Sequence, residues 1–173
     1  MNGEMISYRC LRTEWETARL LLGLNLPIGL AELSMDADTC QAAYDSLCEA
    51  GLLSPSGDTV IVDRLFAFLL TQASLADLAL LLHDENRQVL LYRAPELTLL
   101  SEWTPLYCKW TPLPTVTAAQ APLYALLRRC KAPVNMELLQ GGAVLQAATA
   151  DSPDIFRETL DKLYNAFCVK TIA

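Results

Sequence analysis

The sequence predicts an α+β fold: an antiparallel β-meander and a second hairpin, both packed by helices, with a winged-helix-like N-terminal part. Three observations carry this. Between Ser74 and Pro114, short apolar runs alternate with turn residues, the pattern of antiparallel strands joined locally. Gly141-Gly142 separates two further runs, a short-range hairpin signal. On either side of these strands, apolar residues recur at helical spacing.

The first element is a helix over Thr13–Leu24. Thr13 is its expected cap, and Glu14 and Glu16 suit its positive first turn. Trp15, Ala18, Leu21 and Leu22 form one stripe, and Asn25 and Pro27 end it. Ile28–Leu33 reads as one or two short helical turns. A second helix opens at Asp38 or Thr39 and lines one face with Cys40, Ala43, Tyr44, Leu47 and Cys48. Gly51 follows as the residue of positive φ that closes many helices. Ser54–Asp58 reads as a turn and Thr59–Val62 as a strand. Asp63 then starts a third helix to about Leu70, with Leu65, Phe66, Leu69 and Leu70 buried.

The meander follows as strands Asp77–His83, Arg87–Arg93, Glu96–Trp103 and Leu106–Thr111. Alternation puts Leu78, Leu80 and Leu82 on one face and Ala79, Leu81 and His83 on the other. Val89 and Leu91 likewise oppose Leu90 and Tyr92, and Leu97 and Leu99 oppose Thr98 and Leu100. Both faces are therefore apolar, and each needs a cover: helices of this chain, a second copy, or a partner. After a Pro-punctuated bridge, Thr117–Cys130 reads as a helix reset at Pro122. Val134–Gln140 and Ala143–Thr149 form the second hairpin. The last helix is capped by Ser152 with Pro153 at its first position. Phe156, Leu160, Leu163 and Phe167 make its stripe, expected to cross one face of the sheet. Helix, hairpin and helix thus recur in the two halves. The length suits one domain over 1–173, with a sub-boundary near Ala73.

Composition narrows the function. An apolar fraction of 53% allows a sizeable core, and a net charge of -7 is a poor footprint for nucleic acid. The six cysteines form no CxxC pair and there is one histidine, so no metal and no cofactor are expected. Met1–Cys10 lacks a signal-peptide pattern, and no apolar run is long enough to span a bilayer. The expectation is a cytoplasmic protein with free thiols and no membrane association.

Few residues invite chemistry. His83 stands beside Asp84 and Glu85 and is a candidate general base, though a strand-end position at a hairpin explains it better, since no nucleophile motif accompanies it. Cys130 follows Arg128 and Arg129 and is the candidate nucleophile, without a base to activate it. Asp36, Asp38, Asp58 and Asp63 lack calcium-loop spacing, and Gly141-Gly142 lacks the Lys and helix of a phosphate loop. Trp103, Tyr107 and Trp110 lie between Pro105 and Pro112 or beside them. Aromatics on Pro-bounded strands are candidate partner-binding anchors; the alternative is core aromatics near a sheet edge.

The segment YDSLCEAGLLSPSGDTVIV resembles the end of a winged-helix module. Its helix carries Asp38, Asp45 and Glu49 and no Lys or Arg, which opposes phosphate binding. The longer run LCEAGLLSPSGDTVIVDRLFAFLLTQASLADLALLLHDENRQVLLYRAPE resembles the EspG-like chaperones associated with type VII (ESX) secretion. The matching pieces are Gly51-Leu52, Gly57-Asp58, Asp63–Ala73 and the hairpin Leu78–Tyr92. The resemblance implies a cytosolic α/β protein that sequesters an apolar helical export substrate, and it assigns no binding residue here.

The functional expectation is a non-catalytic, chaperone- or adaptor-like protein-binding module. Its partner, another protein or a second copy, docks on an apolar sheet face or edge. One alternative is a winged-helix-type transcriptional regulator using a basic face from Arg9, Arg12 and Arg19. Another is a small enzyme using His83 or Cys130.

Overall fold

The structure, a computed structural model, describes residues 6–172. The signal-peptide expectation for Met1–Cys10 falls partly outside that range. The chain opens with strand β1 (Tyr8–Leu11), which runs directly into helix α1 (Arg12–Leu21). Helix α2 (Ala37–Glu49), a two-stranded hairpin of β2 (Leu53–Ser56) and β3 (Thr59–Val62), and helix α3 (Arg64–Leu75) follow. The meander is β4 (Leu78–His83), β5 (Gln88–Arg93), β6 (Thr98–Trp103) and β7 (Tyr107–Leu113). Then come α4 (Gln120–Leu127), β8 (Val134–Gln140), β9 (Ala143–Ala150) and α5 (Phe156–Ile172), with a single 3-10 turn before each of α4 and α5. The fold is α+β, and helix–hairpin–helix occurs twice in this order.

Seven strands form one antiparallel sheet in the order β1-β7-β6-β5-β4-β8-β9. The meander register sets Leu80 opposite Leu91 and Leu91 opposite Leu100, so the leucines of adjacent strands stack in rows. On one face Leu78, Leu80, Leu82, Val89, Leu91, Met136 and Leu138 pack under α4 and α5. Leu123 and Leu127 descend from α4; Phe156, Leu160, Leu163 and Phe167 descend from α5. On the other face Ala79, Leu81, Leu90, Tyr92, Leu99 and Trp110 pack under α1, α2 and α3. Residues from both sides of position 73 share this second core.

Both faces are thus closed by the chain's own helices. The excess apolar area expected from the leucine-rich strands is consumed internally, and no face of the meander is left for a second copy or partner.

Several local expectations change. Thr13 does not cap α1. The helix begins one residue earlier, because β1 feeds it without a loop, and the Glu14 carboxylate accepts the Leu11 amide at 2.7 Å. The α1 stripe holds for Trp15 and Ala18, but Leu21 is 46% exposed. The same helix carries a buried ion pair, with Arg19 Nη2 donating to Glu16 Oε1 at 2.6 Å. Arg19 Nη1 also donates to the Leu24 carbonyl at 2.5 Å, closing the helix end.

The cap of α2 is Asp36, which accepts the Thr39 amide at 2.7 Å, rather than Asp38 or Thr39. Asp63 caps α3 by accepting the Phe66 amide at 2.9 Å. That helix runs to Leu75, and Leu65 lies 44% exposed on its outer side. Ser54–Ser56 is strand and not turn. It pairs with β3 in a small separate hairpin, where Pro55 can occupy an edge and its missing N–H costs nothing.

Ile28–Leu33 forms no helix. Leu24, Leu26, Ile28 and Leu30 instead lay an irregular chain along the sheet. Tyr92 Oη donates to the Ile28 carbonyl at 2.9 Å, and Gly29 has φ of 80°. A Cβ at Gly29 would lie 2.8 Å from Leu90 Cδ2, so this loop's approach to the sheet needs glycine. Ser152 is extended at the start of α5's preceding 3-10 turn and makes no side-chain cap bond.

Candidate functional site

The three aromatic candidates do not form one surface. Trp103 and Trp110 are 4% and 2% exposed, on strands β6 and β7. Trp15 of α1 lies between them and the helices, 5.5 Å from Trp110 and stacked at 7°, and 5.1 Å from Trp103 edge to face. These rings are core mass joining α1 to the sheet, the alternative noted from the sequence. Trp103 Nε1 donates to Ser101 Oγ at 3.0 Å. Only Tyr107, the first residue of β7, is accessible, and Arg9 of β1 sits over its ring at 4.5 Å. Alternation along β7 puts Tyr107 and Trp110 on opposite faces, but spacing by itself does not say which of those faces turns inward at that end of the strand.

His83 ends β4 and is half-buried. Asp84 does not orient it. The Asp84 carboxylate accepts the amides of Asn86 and Arg87 at 2.8 Å each and that of Lys131 at 2.7 Å. Burial opposes its ionisation, but these amides outweigh burial and hold its pKa below the usual carboxylate value. Asp84 therefore pins the β4–β5 turn to the chain entering β8.

Cys130 is buried, and burial with the nearby Asp84 pushes its thiol up to about 11. That is the reverse of nucleophile activation. Arg9, Arg12 and Arg19 do not make a common basic face. Arg19 is buried against Glu16, and Arg12 lies over the Trp103 ring at 5.6 Å.

The feature that remains open is a sheet edge. Antiparallel pairing leaves β1 and β9 at the two ends. β1 has four residues and carries Arg9. β9 has eight, Ala-Val-Leu-Gln-Ala-Ala-Thr-Ala, with no charge and no proline. Gly141, with φ of 57°, makes the tight turn that folds β9 back on β8. Leu138 faces Gln146 while Leu139 faces Val144, so Leu145 is an extra, bulged residue. Beyond the bulge, Gln146 to Ala150 pair regularly with β8 on one side. On the other side no strand among the described residues pairs with them.

The surroundings suit an added strand. Val144 and Leu145 are 54% and 40% exposed. Beside the strand, a cleft of about 410 Å³ opens between β9 and α5, lined by Ala147, Ala148, Thr159, Lys162 and Leu163. Small alanines keep the strand low, and Lys162 is occupied with Glu158 at 3.1 Å. Natural sheet edges usually carry charges, prolines or short strands that block pairing. The bulge at Leu145 is the one such device on this edge. The sequence held the signal, eight uncharged residues after a hairpin turn. Only the strand order shows that they are an edge and not an interior strand.

No membrane-spanning helix occurs among the described residues: none is long and apolar enough to cross a bilayer. The chain matches no protein-family model, and no curated protein matches its sequence.

Proposed function

We propose that the chain is a non-catalytic protein-binding module, chaperone- or adaptor-like, that takes an extended segment of a partner protein along β9. The long, uncharged edge of β9, interrupted at the Leu145 bulge, carries this reading. Backbone groups supply the pairing, and the cleft against α5 receives alternate side chains of the guest strand. The likeness of residues 47–96 to EspG-like, secretion-associated chaperones supports the same class, a cytoplasmic protein that holds another protein. The edge favours an extended guest over a helical one.

The test is site-specific photo-cross-linking in the native host, with the reactive group at Val144 or Gln146 and a control at exposed Ile61. The reading expects a small set of polypeptides captured from the two edge positions and not from Ile61. Ala147→Lys, a charge on the edge, is expected to abolish capture while the protein stays folded. Capture unchanged by Ala147→Lys, or identical from Ile61, overturns it. A cross-link to the chain itself, with doubled mass in light scattering, identifies a second copy as the guest.

A further inference from the structure

A second site lies at the start of α5 and shares no lining residue with the cleft beside β9. A concavity of about 690 Å³ opens between α4 and the start of α5. That size is within the range of small-molecule sites. Its floor is apolar: Leu127, Phe156 and the Cys130 side chain, all buried. Ala121 and Ala125, one helical turn apart on α4, form a wall with no bulk.

The rim is polar and positive. Arg128, just past the end of α4, and Arg157, in the first turn of α5, both line the opening. Both are exposed, and, like most Lys and Arg of the chain, neither makes an ion pair among the described residues. Residues 117–131 hold Arg128, Arg129 and Lys131 and no acid, in a chain whose net charge is -7. On α5 the lining charge is Arg157, with Glu158 and Asp161 on the same helix; the Asp161 carboxylate accepts the Tyr124 hydroxyl. The Tyr124 hydroxyl and the Gln120 amide complete the polar lining.

An acidic protein repels anions at long range, so two unpaired guanidiniums beside an apolar hollow form a selective arrangement. We propose that this concavity binds a small amphipathic carboxylate, its apolar body on Leu127 and Phe156 and its carboxylate at Arg128 and Arg157. Guanidinium matches carboxylate geometry with paired N–H donors. Burial of the ligand's own apolar body against Leu127 and Phe156 gives the remaining affinity. Cys130 is a neutral part of that floor and plays no covalent role.

The test is titration calorimetry of the full chain with dodecanoate, and with dodecanol and dodecyltrimethylammonium as neutral and cationic matches. Dodecanoate is expected to bind at one site, at least about tenfold tighter than either control, the worth of one charge-assisted contact. Arg128→Gln with Arg157→Gln is expected to remove that preference, leaving the three probes alike. Ala125→Trp, which fills the wall from an exposed helix position, is expected to abolish binding without changing the circular dichroism. Equal binding of dodecanol and dodecanoate overturns the proposal. So does a double variant with unaltered dodecanoate affinity, or an absence of dodecanoate binding. Loss of cross-linking at the β9 edge would leave this result untouched, since the two sites share no lining residue.

Discussion

The indole of Trp15 lies parallel to that of Trp110, centroids 5.5 Å apart and planes 7° off parallel. This contact ties the first helix to the second strand from the β1 edge, across ninety-odd residues of chain. Trp103 meets both rings edge to face, and Tyr92 stacks on Trp110 at 6.0 Å. Four aromatic side chains therefore form the joint between the N-terminal helices and the sheet.

Removing the helix's share of that joint is expected to be costly. Trp15→Ala leaves a cavity against Trp103 and Trp110, and about 3–5 kcal/mol of stability should be lost. Urea unfolding followed by far-UV circular dichroism measures it. A loss under about 1 kcal/mol would show that α1 packs on the sheet without the indole.

Glu16 and Arg19 are 3% and 6% exposed, and each is the other's charge partner. Glu16→Ala strands a buried guanidinium and is expected to cost about 3–5 kcal/mol. Replacing both with methionine restores an uncharged, filled site and should recover most of the loss. Equal destabilisation by the single and double variants, in the same denaturation assay, would contradict this account.

Gly29 combines a positive φ with contact to Leu90 and Leu139. Gly29→Ala adds strain and overlap together, and about 1–3 kcal/mol of destabilisation is expected. Gly23 also has a positive φ, but a Cβ there would point into open space, so the same change should cost less. Thermal melts of the two variants side by side decide it.

Alkaline pH should weaken the fold. The Cys108 hydrogen bond and burial raise the Cys10 thiol above its ordinary 9.0. Burial raises Cys130, and it raises Tyr92, Tyr124 and Tyr164 above their ordinary 10.0. In each case the unfolded chain loses its proton first. Stability from these groups is therefore complete below the unfolded values and falls as pH climbs through the window toward the folded ones. Each group can contribute up to about 1.4 kcal/mol per pH unit in that window. Urea midpoints at about pH 8 and about pH 10.5 are expected to fall steeply between the two. A flat profile would mean that these groups ionise in the folded state as they do in water.

Much of the fold was legible because its signals are local. The alternation of Leu78 to Leu82 placed side chains on two faces before any partner strand was known, and the structure keeps every one of those assignments. Gly51 and Asp63 mark their helix ends for reasons contained within one turn of chain. The site was less legible. Trp103 and Tyr107 are four residues apart, yet one is buried in the joint and the other is exposed at the strand's start. Arg128 and Arg157 stand twenty-nine positions apart, with a hairpin between them, and meet only because α5 returns beside α4.

By itself the sequence determined most of the elements and their polarity, though not β1 or β2: two apolar faces per meander strand, the turns that separate them, and an acidic chain poorly suited to nucleic acid. Those follow from side-chain period and charge, which neighbours along the chain already set. The tertiary structure decided that the chain's own helices cover both faces, and that β9 and not the meander ends at an open edge. Strand order is fixed by contacts between distant residues, and no local pattern contains it.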